Sequence, residues 1–154
     1  MKKIILFILV AFFSLTTYAQ ELTWHTDMAK ASELSLKKKK PMLLFFTGSD
    51  WCGWCIRLQK EVLQTPEFAK WAKKNVILVE LDFPKRTPQD ENLRAQNQNL
   101  QQMFGIRGYP TIWFVSPEKT KEGKMNLKGL GSTGYVAGGP TKLLDGASKI
   151  VDNK

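Results

Sequence analysis

Apolar positions fall into short continuous runs, separated by stretches in which they recur every three or four residues. Met42 to Thr47, Val76 to Leu81 and Thr111 to Val115 are such runs. They are too short for independent helices and fit strands buried on both faces. Met125 to Leu130 reads as a fourth strand and Leu22-Thr23-Trp24 as a short edge strand. From Asp27, the positions Met28, Ala31, Leu34 and Ser35 keep a helical period up to Lys37–Lys40 and Pro41. A second helical pattern opens at Cys52 and continues through Cys55, Ile56, Gln59, Val62 and Leu63. Thr65-Pro66-Glu67 is a helix start, with threonine as cap and proline in the first turn, and the helix it opens carries Phe68, Trp71 and Ala72. A polar helix from about Gln89 to Phe104 buries Leu93, Leu100, Met103 and Phe104 and turns its amide cluster, Gln96 to Asn99, to water. Ser116-Pro117 ends the third long run, and a glycine-rich loop, Gly131 to Gly139, leads to Pro140 and a last helix through Leu143, Leu144, Ala147 and Ile150. Strands alternating with helices, then a hairpin and a terminal helix, predict an α/β fold. It is a three-layer sandwich, a central mixed sheet with helices on both faces.

The first nineteen residues stand apart from this pattern. Lys2 and Lys3 precede an unbroken apolar run, Ile4 to Phe13, and Thr17-Tyr18-Ala19 places small residues before Gln20. That is the form of a secretory signal peptide. An uncleaved anchor is the alternative, although a span needs about 20 apolar residues. The expected division is therefore a signal peptide over 1–19 and one domain over 20–154, periplasmic or otherwise exported, with no stable membrane insertion after cleavage. The chain has 154 residues, 43% apolar and 24% charged, which suits a single folded domain and excludes a disordered or multi-span class. Its 23 Lys+Arg exceed its 14 Asp+Glu, but the basic residues are scattered except at Lys37–Lys40. That run reads as a solvated helix end, where lysine suits the macrodipole, and nucleic acid is not an expected partner.

Two cysteines and one histidine, His25, are too few for a Cys/His zinc site, so no metal is expected. The cysteines stand in Trp51-Cys52-Gly53-Trp54-Cys55, three apart at the start of a helix. Unpaired N–H groups and the positive end of the helix dipole stabilise a thiolate there. Cys52 is then the exposed sulfur with the lowered pKa, and Cys55, one turn in, the shielded one. A purely structural disulfide competes with this reading, but a bridge over so few residues is a weak staple. The same spacing beside an α/β pattern points to redox chemistry.

The chain resembles the thioredoxin superfamily, in particular exported bacterial thioredoxin-like disulfide reductases. Leu43 to Cys55 looks like their first long strand and active-site helix, and Phe104 to Thr111 like the segment carrying their cis-proline. The resemblance is specific over about 41–115 and looser across the glycine-rich tail. It implies that Cys52 attacks, that Cys55 resolves, and that Pro110 is the cis-proline. Tyr109 would pair its backbone with an extended substrate, while Trp51, Gly53 and Trp54 complete the docking face. It further implies protein disulfides as substrates, a membrane thiol reductase as electron donor, and no cofactor. The superfamily commonly keeps a buried aspartate six residues before the first cysteine. This chain has Phe46 there, which leaves Glu80 and Asp82 as candidates for proton transfer. The same site can serve an oxidant or an isomerase, since direction depends on potential. A non-catalytic thioredoxin-like peptide-binding module is the alternative from another class.

Overall fold

A computed structural model describes residues 22–153. The signal peptide expected over 1–19 lies outside the described residues.

Among the described residues, five strands and five helices follow one another as β1 (Trp24–His25), α1 (Met28–Lys38), β2 (Met42–Thr47), α2 (Gly53–Leu58), α3 (Pro66–Asn75), β3 (Ile77–Asp82), α4 (Glu91–Met103), β4 (Thr111–Lys119), β5 (Met125–Gly134) and α5 (Gly139–Asp152). Between α2 and α3 the helix continues as a wider π turn over Gln59–Leu63. The strands form one sheet in the order β1-β3-β2-β4-β5. The first three are mutually parallel, and β4 and β5 are antiparallel additions.

Local chemistry sets the ends of the elements. The Asp27 side chain accepts the Lys30 N–H to start α1, and Thr65 accepts the Phe68 N–H to start α3 just ahead of Pro66. Helix α1 stops where Lys39 takes a left-handed conformation and returns its N–H to the Ser35 and Leu36 carbonyls.

Every residue of β2 is buried, and alternate side chains enter two different cores. Leu43 and Phe45 face a core shared with Cys52, Cys55, Leu58, Phe68 and Leu143, beneath α2, α3 and α5. Met42, Leu44 and Phe46 face Met28, Ala31, Leu81 and Leu100, beneath α1 and α4. The expected three-layer mixed-sheet sandwich is present.

Four local expectations are corrected. In α4, Met103 is 64% exposed, and the buried positions are Asn97 and Leu100. The amide cluster is a wet face only at Gln98 and Asn99, which are exposed, whereas Asn97 is buried and Gln96 half-buried. Asn97 donates to the Asp82 carbonyl and accepts from Gln96, whose side chain also binds the Met28 N–H and the Thr26 carbonyl. These bonds tie α4 to the ends of β1 and β3. Finally, β4 runs through Ser116-Pro117 to Lys119, because β2 begins at Met42 opposite Val115 and leaves β4 beyond that point paired on its β5 side alone, where proline is tolerated. Its partner β5 likewise extends through Gly131, where a Cβ would lie 3.1 Å from Ile150 of α5. The glycine there is a close-packing residue rather than a loop residue.

Replacing Asn97 with alanine strips hydrogen bonds from a buried site and is expected to cost about 1–2 kcal/mol in urea unfolding. Asn97→Asp, which keeps an acceptor for Gln96 but sets a buried carboxylate oxygen against the Asp82 carbonyl, is expected to cost more than alanine at neutral pH.

Candidate active site

The cysteines lie where the C-terminal end of β2 turns into α2. Cys52 is the N-cap of that helix, with extended backbone, and its Sγ accepts the Cys55 N–H at 3.2 Å. The two sulfurs are joined at 2.08 Å, with Cα atoms 5.2 Å apart. Cys52 keeps 6% of its surface exposed and Cys55 keeps none. An N–H aimed at Sγ favours the ionised form of that sulfur once the bond is opened.

The turn that presents Cys52 is fastened residue by residue. The Cys52 N–H donates to the Gly48 carbonyl at 2.9 Å. Trp51 folds back over Gly48 so closely that a Cβ there would meet its ring at 2.4 Å, which restricts position 48 to glycine. The indole N–H of Trp51 donates to the Phe83 carbonyl at 2.8 Å. Ser49 donates through its N–H and hydroxyl to Asp82. The Asp50 carboxylate accepts three successive N–H groups, from Lys85, Arg86 and Thr87, at 2.8–3.0 Å. The Lys85 N–H, with those of Arg86 and Thr87, holds the Asp50 carboxyl down at about 2, below the usual 3.8. The Lys85 ammonium sits 3.8 Å from the centre of the Trp51 ring.

Tyr109 closes the other side. Its ring stands edge-on to Trp51 at 5.6 Å, its hydroxyl accepts from Gln101, and the Tyr109–Pro110 peptide bond is cis. Burial pushes the Tyr109 hydroxyl up from its usual pKa. Trp54 is 55% exposed beside the cysteines. It packs on Tyr135 at 5.1 Å, and the Arg57 guanidinium lies 5.3 Å from the centre of each ring. Glu61 ties this group together, accepting from the Tyr135 hydroxyl at 2.6 Å and from Arg57 at 2.7 Å. Those two donors, the hydroxyl foremost, lower the Glu61 pKa.

Of the residues singled out in the sequence, Trp51 and Tyr109 meet directly, and both pack against the core that holds the cysteines. Asp82 is engaged in holding Ser49. Glu80 stands beside Phe45, with its pKa raised by burial and by the nearby Asp82. The cleft it lines opens on Thr87, Gln89 and Asn97. Phe46 is not the residue that faces the cysteine pair. It packs on Phe83 and Phe104 in the opposite core, while Phe45 and Thr47 share the cysteines' face. The Thr47 hydroxyl is fully buried and without a hydrogen-bond partner among the described residues.

Sequence reasoning missed Asp50, Lys85 and Tyr135. Arg57 and Glu61, four apart on a helix, carried a local signal. The contact of Tyr135 with Glu61 spans 74 residues and carried none.

A family model described as thioredoxin-like matches residues 23–117. Disulfide bond reductase DsbH of Chlamydia pneumoniae is 39% identical over 119 residues, 77% of this chain and 71% of that protein. Thioredoxin-related protein DsbJ of the same organism is 34% identical over 135 residues, 88% of this chain but 37% of its own length. Among solved structures, a DsbH oxidoreductase superposes with a TM-score of 0.74 at 35% identity, covering 87% of both chains. A thioredoxin from Thermus thermophilus superposes with a TM-score of 0.61 at 17% identity, over 84% of this chain and 86% of its own, a likeness of fold alone.

Because its pKa is depressed, Asp50 is expected to hold the 85–87 loop at every pH above its ordinary value and to release it only as pH falls through about 2. The amide resonances of Lys85, Arg86 and Thr87 should therefore stay fixed from neutral pH down to about 4 and move below it. Asp50→Ala should remove their exchange protection at neutral pH.

Proposed function

Since the chain belongs to the thioredoxin-like family and is a thiol–disulfide oxidoreductase related to DsbH, we propose that it reduces protein disulfides outside the cytoplasm through Cys52 and Cys55. The observation that carries the reading is Cys52 at the cap of α2, receiving the Cys55 N–H while Cys55 itself is sealed. In the reduced protein the Cys52 thiolate attacks one sulfur of a substrate disulfide. A Cys52–substrate bond forms, the substrate bond breaks, and the departing sulfur takes up a proton. Cys55 then loses its proton and attacks Cys52 Sγ, closing the pair and releasing the second substrate thiol. Two electrons pass from the pair to the substrate.

An extended substrate strand lies along the Tyr109 backbone and Pro110, flanked by Trp51, Gly53 and Trp54. The exposed ring of Trp54 offers it apolar surface. Export is supported by the signal-like residues 1–19 and by the similarity to DsbH. The reducing direction is supported by the name of that relative, a disulfide bond reductase, and by Gly53-Trp54, which lacks the histidine that strong oxidants place beside the second cysteine. A membrane thiol reductase resupplies the electrons. Glu80 takes the Cys55 proton, a role supported by its raised pKa and its place on the cysteines' face of β3.

With the pair reduced beforehand, the protein is expected to reduce insulin. Cys52→Ser should fall to the uncatalysed rate, and Cys55→Ser should accumulate a mixed disulfide visible on a non-reducing gel. Retained binding of an unfolded peptide with no loss of function in Cys52→Ser would instead favour a non-catalytic docking module.

Stopped-flow measurement of the resolving step checks the proton carrier. Glu80→Gln is expected to slow it by roughly 10²-fold and to remove an inflection above the usual carboxylate range. An unchanged pH profile would return Glu80 to a structural role.

A further inference from the structure

If Cys52 and Cys55 reduce protein disulfides, substrates must be sorted at the surface beside them. Resting on that reading, we propose that Tyr135, Arg57 and Glu61 build with Trp54 a specificity wall, and that the wall takes an aromatic side chain flanking the substrate's cysteine.

Strand pairing brings the wall to the site. Gly134 lies opposite Thr111 in the β4–β5 ladder, and a Cβ on it would come within 3.3 Å of the Pro110 carbonyl. Tyr135 therefore leaves the sheet next to the cis-proline. Its ring reaches Trp54, the residue just before Cys55, with centroids 5.1 Å apart and planes inclined by 45°. The two rings thus join the proline side of the site to the helix that carries the sulfurs. The surface stays open, for Trp54 is 55% exposed, Tyr135 half-buried and Val136 beyond it exposed.

The rings are held from behind. Glu61 accepts from both the Tyr135 hydroxyl and the Arg57 guanidinium, and that guanidinium lies over both rings. Glu61 sits in the π turn of Gln59–Leu63, an irregularity frequent at functional sites. Core packing accounts for the Tyr135 ring, which rests against the cysteines' core. It does not account for a tryptophan braced in an open position. Nor does stability, since an ion pair as exposed as Arg57–Glu61 contributes little to it.

Charge selects the occupant. Arg57 and Glu61 are opposite charges 2.7 Å apart, so the wall presents rings with no net charge. Lys85 and Arg86, with Asp50 and Asp82, belong to the Trp51 side of the site, and Lys142 has its stem against Gly138, beyond Val136. An acid brought to the wall meets the negative faces of the rings and an arginine already paired. A base meets that arginine. A neutral ring instead gains offset or edge-to-face contact with Trp54.

The test mixes pre-reduced protein with disulfide-linked dimers of a short peptide whose cysteine is flanked on both sides by Phe, Ser, Asp or Lys. Hydroxyethyl disulfide, which has no flanking residue, is the reference, and each rate constant is divided by its own. The Phe dimer is expected to exceed the other three by at least about fivefold. Tyr135→Ala should bring it down to the Ser value, and Tyr135→Phe, which keeps the ring, should retain most of the preference. Should Tyr135→Ala fail to fold, Tyr135→Leu serves instead. Glu61→Gln uncovers the Arg57 charge and should raise the Asp dimer by about threefold, a gain absent from Glu61→Gln/Arg57→Gln. Equal rates for the four dimers, a Phe preference that survives loss of the Tyr135 ring, or an Asp dimer unmoved by Glu61→Gln would each overturn the wall while leaving the reductase standing. A parent that reduces neither the dimers nor hydroxyethyl disulfide would overturn the reductase and the wall together.

Discussion

The hydrogen bond from the Cys55 N–H to Cys52 Sγ exists only because Cys52, and no neighbouring residue, is the N-cap of α2. A helix that began one residue earlier or later would aim its free N–H groups elsewhere, and the sulfur would lose its stabilising donor. The start is fixed from outside the helix. Asp82 holds Ser49, Asp50 holds three N–H groups of the 85–87 loop, and the Trp51 indole holds Phe83. All of these contacts reach β3 or the loop that follows it. The position of one sulfur is thus set by a strand that contributes no atom to the bond.

That arrangement depends on β2 and β3 lying side by side in register, Thr47 beside Asp82. The register is enforced by burial on both faces. A slip of one residue would exchange the cysteines' core, with Leu43 and Phe45, for the opposite one, with Leu44 and Phe46. It would also carry Asp82 past Ser49.

Much of this was legible locally. Strand runs, the Asp27 and Thr65 caps and the cysteine spacing are signals carried within a few residues, and they placed the elements in order. What was not legible depends on pairing across the fold. Counting six residues back from Cys52 points to Phe46, but the length of the turn decides which face of β2 meets the cysteines, and that face holds Phe45 and Thr47. Asn97 looked solvated because its partner, the Asp82 carbonyl, is reached only once β3 and α4 are docked. Tyr135 sat in a run of glycines that reads as loop, yet β5 extends through Gly134 and delivers its ring to Trp54.

Strand polarity also governs where the helix caps and helix ends place their charges. In a parallel pair each preceding helix must end where its strand begins, and cations are favoured at that helix end. Each following turn starts where the strand finishes, and the free N–H groups of the next helix favour an acid or a thiolate there. Acidic caps and a nucleophilic sulfur therefore lie at one end, where Arg57, Lys85 and Arg86 stand among them, while the lysines that finish α1 and α3 lie at the other. The antiparallel β4–β5 hairpin adds four more lysines to the end its direction takes it to. Reactivity at Cys52 and a basic surface facing away from it are thus two products of one topology.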